Sequence, residues 1–193
     1  WIALNTFRNL GLFMIRTIET ERVQLLPIQL NDIKLIHQIF SEPNVARYNS
    51  IGIPKSIEET ESIIKPIIES TIEPDPNHLV WIARLKRDNA FIGDVGLKLK
   101  AKRYQSAEIY FSFLPDYWNL GYCTEIAKAI IRYAFEDLNL HRIEAGCAVD
   151  NIGSIRVLEK IGMRREGHSR KILPLKSGWS DNYECAVLKE GLY

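Results

Sequence analysis

Trp118-Asn119-Leu120-Gly121-Tyr122-Cys123-Thr124-Glu125 is the stretch that decides how this chain folds. It follows a β-like run, Ala107 to Leu114, that stops at Pro115-Asp116. It precedes a segment in which Ile126, Ile130 and Tyr133 recur at helical period. A strand, a glycine loop and a helix beginning near Thr124 leave unpaired backbone N–H groups at the positive end of that helix. The helix dipole contributes ~0.3–2 kcal/mol and each hydrogen bond to a charged group about 1.5–3 kcal/mol, so a few amides anchor a pyrophosphate without a lysine. The stretch has neither the Gly-Lys-Ser/Thr ending of a P-loop nor the three spaced glycines of a dinucleotide fingerprint. A single glycine before a helix also reads as a plain turn, so its surroundings decide.

Upstream, Arg22 to Pro27 reads as a first strand, and Asn31-Asp32 caps a helix carrying Ile33, Ile36, Ile39 and Phe40. Ser56 with Glu59 forms a capping box for a second helix, bent or interrupted at Pro66. After Pro74-Asp75-Pro76-Asn77, Leu79 to Leu85 and Phe91 to Leu99 read as a hairpin, and Ala107 to Leu114 as the fourth strand. On the following helix Glu125, Lys128, Arg132 and Glu136 fall opposite the apolar face. Ile143 to Val149 is a fifth strand, and Asp150-Asn151 caps a short helix with Ile155, Leu158 and Ile161 that ends at Gly162. Strands at 164–172 and 183–189 close the chain. The order βααβββαβαββ predicts an α/β (or α+β) mixed, mostly antiparallel sheet flanked by helices.

A chain of 193 residues that is 46% hydrophobic and 25% charged supports one domain with a full core. Lys plus Arg number 25 against 24 for Asp plus Glu, so no global charge steers it to nucleic acid or an anionic membrane. Cys123, Cys147 and Cys185 form no Cys-x-x-Cys pair, and the four histidines lack metal-ligand spacing, so no metal is expected and a reducing cytoplasm fits. No apolar run approaches the ~18 residues of a membrane span. The chain opens on Trp1, and Met14 precedes the first regular segment. Residues 1–13 are therefore expected to be an appended or disordered N-terminal extension, and 14–193 the domain.

Trp-x-x-Gly-Tyr-x-Thr-Glu before an amphipathic helix resembles the acetyl-CoA motif of the GNAT superfamily, in particular its RimJ/RimL-like branch, which acetylates protein N-termini. Thr20-Glu21-Arg22-Val23-Gln24-Leu25 resembles the branch's opening strand, and Ala107-Glu108-Ile109 with the aromatics after it resembles its fourth. Asn151-Ile152-Gly153-Ser154 through Leu158-Glu159-Lys160-Ile161-Gly162-Met163 resembles the second cofactor motif. Gly178-Trp179-Ser180-Asp181 with Tyr183 resembles the last hairpin. The chain departs from the superfamily pattern at Trp118, a residue familiar in this branch, at Asn119 and Cys123, and at Tyr110, where the branch often has Gly and where a phenol would crowd the acyl or acceptor group.

The resemblance implies an N-acetyltransferase using acetyl-CoA as co-substrate, with a primary amine as acceptor, either a protein N-terminal α-amine or a small amine, attacking directly in a ternary complex. The alternatives are a polyamine, aminosugar or antibiotic acetyltransferase and a non-catalytic acyl-CoA sensor, as monomer or homodimer. Amine acylation needs an uncharged nucleophile, an oxyanion donor and a stabilised thiolate. Glu108 is the candidate base, with an outward carboxylate paired to Lys or Arg as the plain reading. By resemblance the backbone of Phe111, Ser112 and Phe113 meets the pantetheine arm and thioester, and Trp118, Asn119, Leu120, Gly121, Tyr122, Cys123 and Thr124 hold the pyrophosphate. Ser154 bonds the leaving sulfur or its own helix, and Asn151 bonds pantetheine or caps that helix. Cys123 reads as a small packed residue, not a nucleophile.

Overall fold

In a computed structural model, which describes residues 15–191, the chain forms β1 (Ile18–Glu19), β2 (Val23–Pro27), α1 (Ile33–Phe40), α2 (Pro43–Ala46), α3 (Ile57–Ser70), β3 (His78–Leu85), β4 (Phe91–Leu99), β5 (Ser106–Phe113), α4 (Tyr122–Glu136), β6 (Arg142–Ala148), α5 (Ile152–Lys160), β7 (Arg164–Leu175) and β8 (Gly178–Leu188). The expectations for residues 1–13 and Met14 lie outside the described residues. The strands make one eight-stranded sheet in the order β1-β2-β3-β4-β5-β6-β8-β7. Every neighbouring pair is antiparallel except β5 and β6, which are parallel and joined by the crossover through α4.

The α/β expectation stands, and the two-residue periodicity of the strands sorts the core into two layers. Leu79, Trp81, Ala83 and Leu85 of β3 and Ala107 and Ile109 of β5 pack with Ile126, Ile130, Ala134 and Phe135 of α4. Val80 and Ile82, on the alternate positions, face Ile36 and Ile39 of α1 and Ile64 and Ile68 of α3. Each Leu, Ile or Val among them contributes roughly 1.5–3 kcal/mol on burial. Trp81 is fully buried because its indole N–H finds the Arg16 carbonyl at 2.7 Å, while its ring meets Tyr133 edge-on.

Several boundaries differ from expectation. β1 is two residues long and α2 four, too short for a periodic signal, and α2 is started by the Glu42 side chain on the Asn44 N–H with Pro43 behind it. Helix α3 runs through Pro66, its two halves held by Ile64 and Ile68 on the same core. Ser56 caps it as expected, but the Glu59 carboxylate returns to the Lys55 N–H. The final hairpin is longer than expected, because shifts in register between Ser169 and Leu173, with Lys171 at φ 51°, break the alternation that marks a strand. Pro174 is accommodated because β7 is an edge strand.

Candidate active site

The parallel pair does not stay paired. β5 and β6 are in register only at Ser106↔Arg142, Ala107↔Ile143 and Glu108↔Glu144, and beyond Glu108 the strands separate. The bonds from Lys100 N–H to the Ser106 carbonyl and from Leu114 N–H to the Ile92 carbonyl fix which groups of β5 face β4. By strand alternation Glu108, Tyr110 and Ser112 turn their backbone to β4, whereas Phe111 and Phe113 turn theirs to the gap. This refines the sequence expectation: Ser112 has its amide engaged in the ladder, and it is the N–H groups of Phe111 and Phe113 that the register leaves without a strand partner among the described residues. At the mouth of the gap the Trp118 indole donates to the Phe113 carbonyl at 2.6 Å, tying the loop to the strand end.

Helix α4 begins at Tyr122, two residues before the expected start, because Gly121 at φ 83° is its N-cap. Asn119 also lies at positive φ, 60°, a conformation that asparagine tolerates. The first intrahelical bond is from Glu125 N–H to the Gly121 carbonyl at 3.0 Å. The amides of Tyr122, Cys123 and Thr124 have no acceptor among the described residues, and no side chain caps them. Burial drives the Cys123 thiol well above its ordinary pKa, which removes it as a thiolate nucleophile.

Sequence reading placed Glu125 on the wet face of α4; the structure turns it to the chain's first motif. Its Oε1 accepts from Thr20 Oγ1 at 2.6 Å and from the Arg22 backbone N–H at 2.8 Å, and its Oε2 accepts from Arg22 Nε at 2.7 Å. Burial pushes the carboxyl up, and these donors outweigh it and hold the group below the usual carboxylate range. The partners are 103 or more residues apart, so no spacing in the sequence signals them.

On the other face of the sheet Glu108 stands beside Glu144 at the apex of the gap. Glu144 is neutralised by Lys100 and Arg142, while Glu108 has no ion pair or hydrogen bond among the described residues and is exposed. The outward position of the plain reading of Glu108 is therefore met, and its pairing to Lys or Arg is not found among the described residues. Tyr110 does not fill the gap, since its ring leans over β4, where a methyl group on Gly96 would meet the ring at 2.2 Å. Burial, then the charges of Asp94 and Glu108, push the phenol above its ordinary pKa.

Across the gap, Asn151 caps α5 by accepting from the Ser154 N–H at 3.2 Å. That occupies its oxygen and leaves its amide N–H groups for another partner. The Ser154 hydroxyl has no partner among the described residues, so it does not bond back into its own helix. Tyr48 donates to the Asp150 carbonyl at 3.1 Å, fastening the segment after α2 to the turn after β6. Next to Tyr48 a cleft of about 380 Å³ is lined by Asn49, Ser50, Gly52 and Ile53 and, from the β7–β8 hairpin, by Pro174, Leu175 and Lys176.

A mixed sheet opened between its parallel strands, with a bare helix N-terminus following the strand that turns free amides into the gap, defines the class: an acyl-coenzyme A dependent acyltransferase. Residues 22–164 match the family model of the acetyltransferase (GNAT) domain. The chain is 35% identical over 173 residues to the uncharacterized N-acetyltransferase YnaD of Bacillus subtilis, covering 90% of this chain and 97% of that protein. In fold it is similar to the Vibrio cholerae spermidine N-acetyltransferase solved with CoA and spermine (TM-score 0.78, 22% identity, 88% of this chain and 97% of that one). It is likewise similar to Mycobacterium smegmatis RimJ solved with CoA-disulfide (TM-score 0.81, 21% identity, 92% and 90%). This chain belongs to the GNAT acetyltransferases. It is an N-acetyltransferase whose co-substrate is acetyl-CoA.

Proposed function

We propose that this enzyme acetylates the α-amine of a peptide or protein N-terminus, the acceptor class of the RimJ/RimL-like branch, and that the amine attacks the thioester directly. The observation that carries the choice is the lining of the cleft beside Tyr48, which we assign to the acceptor: Asn49, Ser50, Gly52, Ile53, Pro174, Leu175 and Lys176 include no carboxylate. A polyamine carries several charges that need carboxylates in a recess, whereas a peptide N-terminus brings one ammonium that must be lost before attack.

In this reading the free amides from Tyr122 to Thr124 hold the pyrophosphate, with Trp118, Asn119, Leu120 and Gly121 shaping the loop. The Phe111 and Phe113 amides meet the pantetheine arm and the developing oxyanion. Glu108 accepts the amine's proton, directly or through water. Ser154 donates to the departing sulfur, and Asn151 offers its N–H groups to the pantetheine. The single sheet supports one N-acetyltransferase domain; its bounds at 14–193, its place in the cytoplasm and its state as monomer or homodimer belong to the same proposal.

Thiol release from acetyl-CoA, measured against a panel of short peptides with varied first residues and against spermidine and spermine, tests the acceptor. Turnover of a peptide well above any polyamine is expected; the reverse order overturns the acceptor assignment. Acetyl-CoA binding with no thiol release from any amine favours a sensor instead. Glu108→Gln is expected to lower kcat roughly a hundredfold with KM for acetyl-CoA unchanged, the scale of general-base catalysis. An unchanged kcat removes Glu108 from that role and leaves the activity itself in place.

A further inference from the structure

We propose that Arg22 is a positioning residue of the acetyl-CoA site, holding the loop ahead of α4 in the shape that receives the diphosphate. The proposal rests on the reading of that loop as the diphosphate cradle. Three contacts of one guanidinium carry it. Nε donates to Glu125 Oε2 at 2.7 Å, Nη1 donates to the Leu120 carbonyl at 3.0 Å, and the flat face lies 4.3 Å from the centroid of the Tyr122 ring. The fourth group, Nη2, stands where a methyl on Gly121 would come within 3.4 Å of it. One side chain from the residue just before β2 therefore touches the residue before the N-cap, passes the N-cap itself and packs on the first residue of the helix.

The loop needs such a clamp. Asn119 and Gly121 both hold positive φ, and Leu120 and Trp118 are largely exposed, at 53% and 41%. Little apolar burial fixes the segment, and the amides it presents are useful only if they converge. Binding the Leu120 carbonyl fixes that peptide plane, and with it the direction of the Gly121 N–H on the same plane. Stacking on Tyr122 fixes the first turn of α4. Glu125, on the next turn, anchors the guanidinium from its far edge and is itself held by Thr20 and the Arg22 N–H, so the clamp is closed on both sides. Only a planar fork with a stacking face makes all of these contacts at once; a lysine ammonium does not.

The experiment compares binding of CoA and of pantetheine, which has the thiol arm but no diphosphate, by calorimetry on the full chain. The wild-type protein is expected to prefer CoA. Arg22→Met is expected to weaken CoA about tenfold or more, the scale of one charge-assisted hydrogen bond, and to leave pantetheine within about twofold. Arg22→Lys is expected to follow Arg22→Met. Glu125→Gln, which keeps Arg22 and slackens its anchor, is expected to shift the ratio in the same direction by less, and serves if Arg22→Met does not fold. A ratio of CoA to pantetheine affinity unchanged in Arg22→Met and Glu125→Gln, a loss shared equally by both ligands, or a lysine variant with wild-type preference overturns the proposal. A wild-type protein that does not distinguish the two ligands overturns the cradle reading instead.

Discussion

Asp94 lies on β4 opposite Ser112, 5% exposed, with its Oδ1 buried and unpartnered among the described residues. Burial raises its pKa from the ordinary 3.8 to about 7, against a smaller downward pull from its own backbone N–H. Between those two values the unfolded chain has released the proton and the folded chain keeps it. Stability therefore falls as pH rises through this window, and the penalty is complete above pH 7. Asn at this position is the same size and does not titrate. Asp94→Asn is expected to be more stable than wild type by an amount that grows roughly 2–3 kcal/mol from pH 5 to pH 8. Urea denaturation at the two pH values measures it, and an advantage equal at both would sink the account. The sequence places Asp94 in a strand but does not reveal this cost, because which side chains surround it depends on helices α1 and α3 arriving on that face.

At the scale of elements, the turn from β5 into α4 depends on Gly121 at φ 83°. An alanine there pays for a left-handed backbone whatever the space around it, and its methyl would come into contact with the end of the Arg22 side chain. Gly121→Ala is expected to lose about 1–2 kcal/mol of stability and to raise KM for acetyl-CoA several-fold. Asn119→Gly, already at positive φ, should leave both nearly unchanged. Melting temperature and initial-rate kinetics of the two variants decide it; equal behaviour of the pair would mean that loop conformation is not limiting. The same turn marks how far sequence reading reaches. Strand, glycine and amphipathic helix were legible because each has its own period or punctuation, and Ile126 and Ile130 are buried as the spacing requires. The helix start was misplaced by two residues because Gly121 itself is the cap, where a side-chain cap is the stronger signal. Glu125 was misread because its partners come from the other end of the chain, and Ser112 because its amide depends on the hydrogen-bonding parity with β4, which residue types do not encode.

Across the whole molecule, the gap is a consequence of topology. Seven neighbouring strand pairs contain one parallel pair, and its crossover helix α4 packs on the first core layer. The two strands are fastened at one end, where Lys100 and Arg142 meet Glu144 and Arg142 also holds Glu166, and they part at the other. On either side of the gap the sheet is held by ordinary ladders, β4 with β5 and β6 with β8, so the opening needs no displaced strand to form. A ligand entering it completes hydrogen bonds that the fold leaves open, and the rest of the sheet has nothing to gain from it. Amide hydrogen exchange should therefore be fast at Phe111, Phe113 and Tyr122 to Thr124 in the free protein, and these amides should slow together when CoA is added. The amides of Tyr110 and Ser112, directed at β4, should be slow in both states. Protection gained at Tyr110 and Ser112 but not at Phe111 and Phe113 would reverse the strand parity, and protection confined to other elements would move the coenzyme site away from the gap.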